Sequence, residues 1–280
     1  MSKDIVSGVG ARYAEAFILD SITGLPAVGF NSGTLTAGTL IQGIKTFTYN
    51  NPAPQRIQHY GEDRPFAQDS LPPTEVGSFT ITTAKTNLSL DAFTEGTKVV
   101  TLDGNVEARA GNTDQRGSEP QEFVSVFRQA LDTQQGSPTF GKLRQWHLAL
   151  IPSTRIINNL QAYDQAASVR TYEGIPTPVT YTPWNQAFDQ TTWGAQRAEY
   201  IELTTTYKPV WNMGLGNGTL TRFALSKPPV DATHIHCWAN GTLATVSSVG
   251  TDPTAPFVIL SAAPTGNALV AVLIEHNQSS

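Results

Sequence analysis

Polar and apolar residues alternate along Val76 to Ala84. Phe79 and Ile81 fall on one side, and Ser78, Thr80 and Thr82 on the other. A period of two over that length fits a β-strand with one covered face and does not fit a helix. The pattern recurs in Glu199 to Tyr207, where Ile201, Leu203, Thr205 and Tyr207 share a face opposite Glu202 and Thr204. Composition widens the argument, since threonine supplies 35 of the 280 residues, beside 23 Gly and 18 Pro. β-branched residues favour the pleated strand, and Gly and Pro punctuate it. Asp103-Gly104 after Lys98 to Leu102, and Asn240-Gly241 after His234 to Ala239, suit the positive φ angles of two-residue hairpin turns. The chain reads as mainly β.

One segment reads as a helix, about Glu119 to Asp132. Ser118 can cap it, Gln121 completes a capping box, and Pro120 is tolerated in the first turn. Phe123, Phe127, Ala130 and Leu131 fall on one stripe, with Val124 at its edge. The expected architecture is therefore a two-sheet β-sandwich or half-barrel with one packed α-helix. Residues 50 to 75, bracketed by Asn50-Asn51-Pro52-Ala53-Pro54 and Ser70-Leu71-Pro72-Pro73, have little periodicity and read as a long loop, of the kind that contacts a partner.

The alternating glycines of Gly214-Leu215-Gly216-Asn217-Gly218-Thr219 read as a linker or sharp crossover. They divide a first unit, 1–214, from a second, 219–280. The second has strand-like stretches at Leu220 to Leu225, His234 to Ala239, Thr242 to Val249, Phe257 to Leu260 and Ala268 to His276. That density of short strands fits a small C-terminal β-sandwich.

Charge and apolar content exclude several classes. Charged residues are only 15 % against 39 % apolar, unlike a disordered chain. The longest apolar run is the seven residues Ala268 to Ile274, where a membrane-spanning helix needs ~20. The first twenty residues lack a cationic start followed by an apolar core, so no secretory signal is expected. Net charge is −5 and no two basic residues are adjacent, which disfavours a tight grip on nucleic-acid phosphates. The single cysteine, Cys237, excludes an internal disulfide.

Chemistry-bearing motifs are sparse. There is no Gly-x-Ser-x-Gly elbow and no phosphate-binding Walker loop. His234, His236 and Cys237 form the one metal-like cluster. The two histidines share a strand face, Cys237 points away, and no fourth ligand is near in sequence, so a plain strand is the simpler reading. Glu62, Asp63 and Asp69 lack the spacing of a calcium loop. Trp184 and Trp193 lie in an amide-rich stretch that would suit sugar binding, although such aromatics serve more often as core or interface anchors. No catalytic residues, metal or cofactor are expected.

Three features together resemble the major tail tube protein of long-tailed bacteriophages. One is the strand Glu75 to Thr83 followed by Leu88-Ser89-Leu90-Asp91-Ala92, and another is the capped helix at Glu119 to Asp132. The third is the C-terminal order Phe223-Ala224-Leu225, Pro228-Pro229-Val230-Asp231, Trp238 to Leu243, Phe257 to Leu260, Ala263 to Gly266 and Val270-Ala271-Val272, which looks like the small immunoglobulin-like sandwich appended to many phage tail and fibre proteins.

The resemblance implies a structural virion protein, assembled in the bacterial cytoplasm into stacked hexameric rings. These rings would form the conduit for genome delivery. Its partners would be further copies of itself and other tail proteins (tape measure, terminator, distal tail), with double-stranded DNA as transient, non-specific cargo and no membrane. Acids facing the lumen would be Asp91, Glu95, Asp103 and Glu107. Contacts between rings would come from the long loop, Asn50 to Pro73, with Arg56, His59, Tyr60, Arg64 and Phe66, and from an arm at Met1 to Gly10. The C-terminal sandwich would decorate the exterior. The other reading is a baseplate, fibre or capsid-decorating protein that binds a host surface or glycan.

Overall fold

The computed structural model describes residues 11–50, 55–61, 64–71, 77–84, 99–102, 106–109, 121–131, 143–162, 169–177, 181–187, 199–202 and 207–277. It is built from antiparallel sheets, with no helix among the described residues.

An eight-stranded sheet forms the first layer. Its strands are β1 (Ala11–Ile18), β3 (Thr39–Gln42), β4 (Ile44–Asn50), β7 (Ser78–Thr83), β10 (Glu122–Leu131), β11 (Leu143–Ala162), β12 (Val169–Pro176) and β13 (Glu199–Glu202). The order is β3-β1-β10-β11-β12-β7-β4, with β13 also on β11. Its two ends, β3 and β4, are consecutive parts of one segment, separated by Gly43 at φ 70°. The first half pairs with β1 and the second with β7, and β1 touches β4. The sheet therefore comes back on itself. Gly43 makes the bend because its φ lies where a side chain would be strained.

Strand parity divides this sheet's residues. Ala14 and Ala16, Val124 and Val126, Ala149 and Ile151, Phe79 and Ile81 form the enclosed core with Ile41, Ile156 and Tyr172. The opposite parity, Tyr13, Phe17, Phe123, Phe127, Leu148 and Leu150, packs outward onto a second sheet. That sheet has the order β17 (Thr242–Leu243), β16 (Ile235–Ala239), β20 (Leu269–His276), β14 (Lys208–Leu215), β2 (Thr36–Ala37). Trp211, Met213, Ala271 and Leu273 meet the first layer. Val210, Val270, Val272, Ile274, Ile235 and Cys237 face the other way. There they pack on Phe223, Val258 and Leu260 of a three-stranded sheet, β15 (Arg222–Ala224), β19 (Phe257–Leu260) and β18 (Val246–Gly250). The middle sheet is covered on both sides, so β20 is buried at all eight positions, and its first six, Leu269 to Ile274, read as a continuous apolar run.

Two expectations are corrected. The helix over Glu119 to Asp132 is a strand where it is described, Glu122–Leu131, paired with β1 and β11. Both of its faces are buried, so it shows no polar alternation, and a Phe pair four residues apart shares a face in strand and helix alike. The long loop contains a hairpin, β5 (Gln55–Gly61) with β6 (Arg64–Leu71). The glycine run is a crossover, carrying the chain from β14 in the middle sheet to β15 in the outer one. Its backbone is held by bonds from Gly216 N to Ala268 O and from Gly218 N to Pro264 O.

Candidate assembly interface

Two hairpins form two-stranded sheets of their own. In the longer, Arg56 pairs with Ser70, His59 with Ala67, Tyr60 with Pro65 and Gly61 with Arg64. In the shorter, β8 (Val99–Leu102) pairs with β9 (Val106–Arg109), and Glu107 lies opposite Thr101. Neither hairpin pairs with another strand among the described residues. The structure thus brings Arg56, His59, Tyr60, Arg64 and Phe66 onto one two-stranded ribbon, and places Glu107 on the other. Asp91, Glu95, Asp103, the arm Met1 to Gly10 and Leu88 to Ala92 lie outside the described residues, as does Trp193.

Sequence reasoning missed two buried acids, one at the layer junction and one facing the enclosed core. Glu15 sits in the middle of β1 with Tyr13 and Phe17 on either side of it on the same face. Its Oε2 accepts the Trp211 N–H at 2.9 Å, and burial pushes its carboxyl up to about 8 against the opposing pull of that amide and of Lys208. The Tyr13 hydroxyl donates to the Pro209 carbonyl, and Lys208 Nζ lies 4.8 Å from the centre of the Tyr13 ring. The second is Glu122, whose parity places it on the opposite face from Glu15. Its Oε2 accepts the Ile156 N–H at 3.1 Å, Oε1 has no hydrogen-bond partner among the described residues, and burial again raises the carboxyl to about 8. Two acids on opposite faces cannot cooperate as an acid–base pair.

Trp184, from the amide-rich stretch, is a core anchor. It stacks on Trp211 at 5.5 Å and lies 5.1 Å from Trp238, tying the 181–187 segment to the middle sheet. Beside it the Asn240-Gly241 turn, at φ 48° and 82°, joins β16 to β17, and Asn185 Nδ2 donates to Asn240 Oδ1 at 2.6 Å. Tyr181 and Leu243, at 53 % and 68 % exposure, flank this contact in sequence.

His234 and His236 do share a face, and both point at Glu275 of β20. Cys237 faces the inner core, where burial drives its thiol up to about 12. As the side chains stand, no three His, Cys, Asp or Glu among the described residues are set to hold a metal ion. No helix among the described residues is long and apolar enough to cross a membrane. No protein-family model matches the chain, and no curated protein matches it.

Proposed function

We propose that the chain is a structural, self-assembling subunit of a phage tail tube, a virion protein whose hexameric rings stack into the conduit for genome delivery. The observation that carries this reading is the pair of hairpins whose strands, among the described residues, pair only with each other. A lone two-stranded hairpin is marginal in water, and its free edges invite a further strand. A neighbouring copy supplies that strand in a head-to-tail ring, where identical contacts close. The longer hairpin, with Arg56, His59, Tyr60, Arg64 and Phe66, would contact the next ring. Glu107 on the shorter one would help repel DNA phosphate from the lumen. On this reading the closed sheet is the tube core, and the outer three-stranded sheet with the face it covers is the external decoration.

A second reading, a baseplate, fibre or decorating protein that binds a host glycan, draws on exposed Tyr181 and Leu243 beside the Asn185–Asn240 contact.

Negative-stain microscopy of the purified chain over a concentration series tests the proposal. Rings or hollow tubes are expected. Deleting 55–71 should abolish them while the near-ultraviolet circular dichroism of the tryptophan cluster persists. Monomers or compact trimers at every concentration would overturn the tube reading, and a glycan array would then examine the second. Removing 219–280 is a poorer test, because it strips β20 from β14 and bares Trp211.

A further inference from the structure

We propose that Asn240 is a site of spontaneous covalent modification, where the folded chain converts its own asparagine to aspartate and isoaspartate while sparing Asn217. The inference is independent of the tube reading. The sequence Asn-Gly-Thr-Leu occurs twice, at Asn217 to Leu220 and at Asn240 to Leu243. Glycine after asparagine favours this reaction, because no side chain hinders the attacking amide. The two copies share their local chemistry and both asparagines are exposed, so a difference between them comes from the fold.

The reaction needs only water and solvent base. The Gly241 nitrogen gives up its proton and bonds to Asn240 Cγ. The Cγ–Nδ2 bond breaks and ammonia leaves, closing a succinimide ring. Water then opens the ring on one side of the Gly241 nitrogen or the other. Cleavage at Cγ leaves aspartate. Cleavage at the Asn240 backbone carbonyl carbon leaves isoaspartate, with the main chain rerouted through the side chain. Nothing is oxidised or reduced.

The fold separates the two copies at the nucleophile. Gly218 N is tied down in the crossover, donating to Pro264 O at 3.0 Å. The Asn217 side chain is also turned forward along the chain, where its Oδ1 accepts the Thr219 N–H at 3.0 Å and the Leu220 N–H at 2.7 Å. Gly241 N has no hydrogen-bond partner among the described residues, because it lies in the two-residue turn between the paired Ala239 and Thr242. Asn240 Oδ1 accepts Asn185 Nδ2 at 2.6 Å, and a donor there stabilises the negative charge that the oxygen gathers when Cγ is attacked. Asn217 Oδ1 has donors too, so the free Gly241 amide is what distinguishes the sites.

The product alters the structure around it. Isoaspartate adds a backbone carbon to a turn of only two residues, which disturbs the pairing of Trp238 with Leu243 and of Ala239 with Thr242. It also moves the oxygen that holds Asn185, so conversion should release the 181–187 segment.

Ageing the purified full chain in warm, mildly alkaline buffer tests this, with peptide mass mapping and isoaspartyl methyltransferase labelling to read both sites in one sample. Asn240 should convert at least about fivefold faster than Asn217, the factor that one intact hydrogen bond is worth. In guanidinium the two rates should converge. Limited proteolysis of the aged folded chain should cut faster within 181–187. Equal conversion of the two sites in the folded chain, faster conversion at Asn217, persistence of Asn240, or a gap in rates that survives in guanidinium would overturn the assignment.

Discussion

Glu15 on β1 and Trp211 on β14 stand 196 positions apart in the chain and are joined by a 2.9 Å hydrogen bond from the Trp211 amide to the Glu15 carboxyl. The bond pins the closed sheet to the middle sheet inside a layer of aromatic rings, among them Phe123 6.2 Å from Trp211 and Tyr13 stacked on Phe127 at 4.6 Å. A carboxyl in such a place is held protonated by burial.

That proton has a consequence for stability. Glu15 binds it up to about 8 in the folded chain and only up to about 4.5 when unfolded. Between those values the native state holds a proton that the unfolded state has lost, so the stabilisation is complete below 4.5 and declines as pH rises toward 8. Glu15→Gln should flatten the profile in this window by up to about 1.4 kcal/mol per pH unit, the value of one proton. Urea melts from pH 5 to 8 measure it. Parallel slopes in variant and wild type would show that Glu15 is ionised in the fold.

Gly174 and Phe79 oppose each other across β12 and β7, and a Cβ on Gly174 would come within 2.1 Å of the Phe79 ring. The ring lies where the glycine leaves room. Gly174→Ala should destabilise by roughly 1–3 kcal/mol through overpacking, and Phe79→Ala by roughly 3–5 through the cavity it leaves. Chemical denaturation measures both. The same arrangement recurs at Gly250 and Phe257, where the Cβ would meet the ring at 2.3 Å.

Gly241→Ala is expected to cost more than an ordinary surface change. The position has φ 82°, and a Cβ there would sit 2.3 Å from the Asn185 carbonyl. The strained backbone alone is worth about 1–2 kcal/mol. The variant should also loosen the 181–187 segment, and limited proteolysis will detect cleavage there.

Cys237 should be inert to thiol reagents in the native protein and react fully in denaturant. Its thiol is buried and its ionisation is pushed up to about 12, so almost no thiolate exists at neutral pH. Ellman's reagent added with and without guanidinium decides this, and rapid native labelling would contradict the packing.

The strands legible in the sequence carry either an alternation or an unbroken apolar run, as β20 does over Leu269 to Ile274. β7 alternates as expected over Ser78–Thr83, and β19 matches Phe257–Leu260 residue for residue. The Asn240-Gly241 turn was legible from two residues because few others accept both φ values. β10 was not, because Val124 and Val126 face one core while Phe123 and Phe127 face another. Only the burial of both valines, two apart, separates strand from helix. β5 and β6 were missed for the reverse reason, since Gln55, Gln58, Gln68, Asp69 and Ser70 leave little apolar pattern to read. The histidine pair was visible in the sequence. Glu275 was not, because it joins them through strand pairing from far downstream.

The bend at Gly43 also bears on how the chain reaches its native state. Thr39 to Asn50 completes the first layer only when β1 and β7 both flank it, and β7 is itself held by β12, nearly a hundred residues further on. Contacts so distant in sequence form slowly, because the intervening loops must be ordered first. Refolding should therefore show one slow cooperative closure. Until it occurs, β1 and β7 carry naked edges. Recovery from denaturant should fall with protein concentration, as chains pair with one another before each has sealed its own ring.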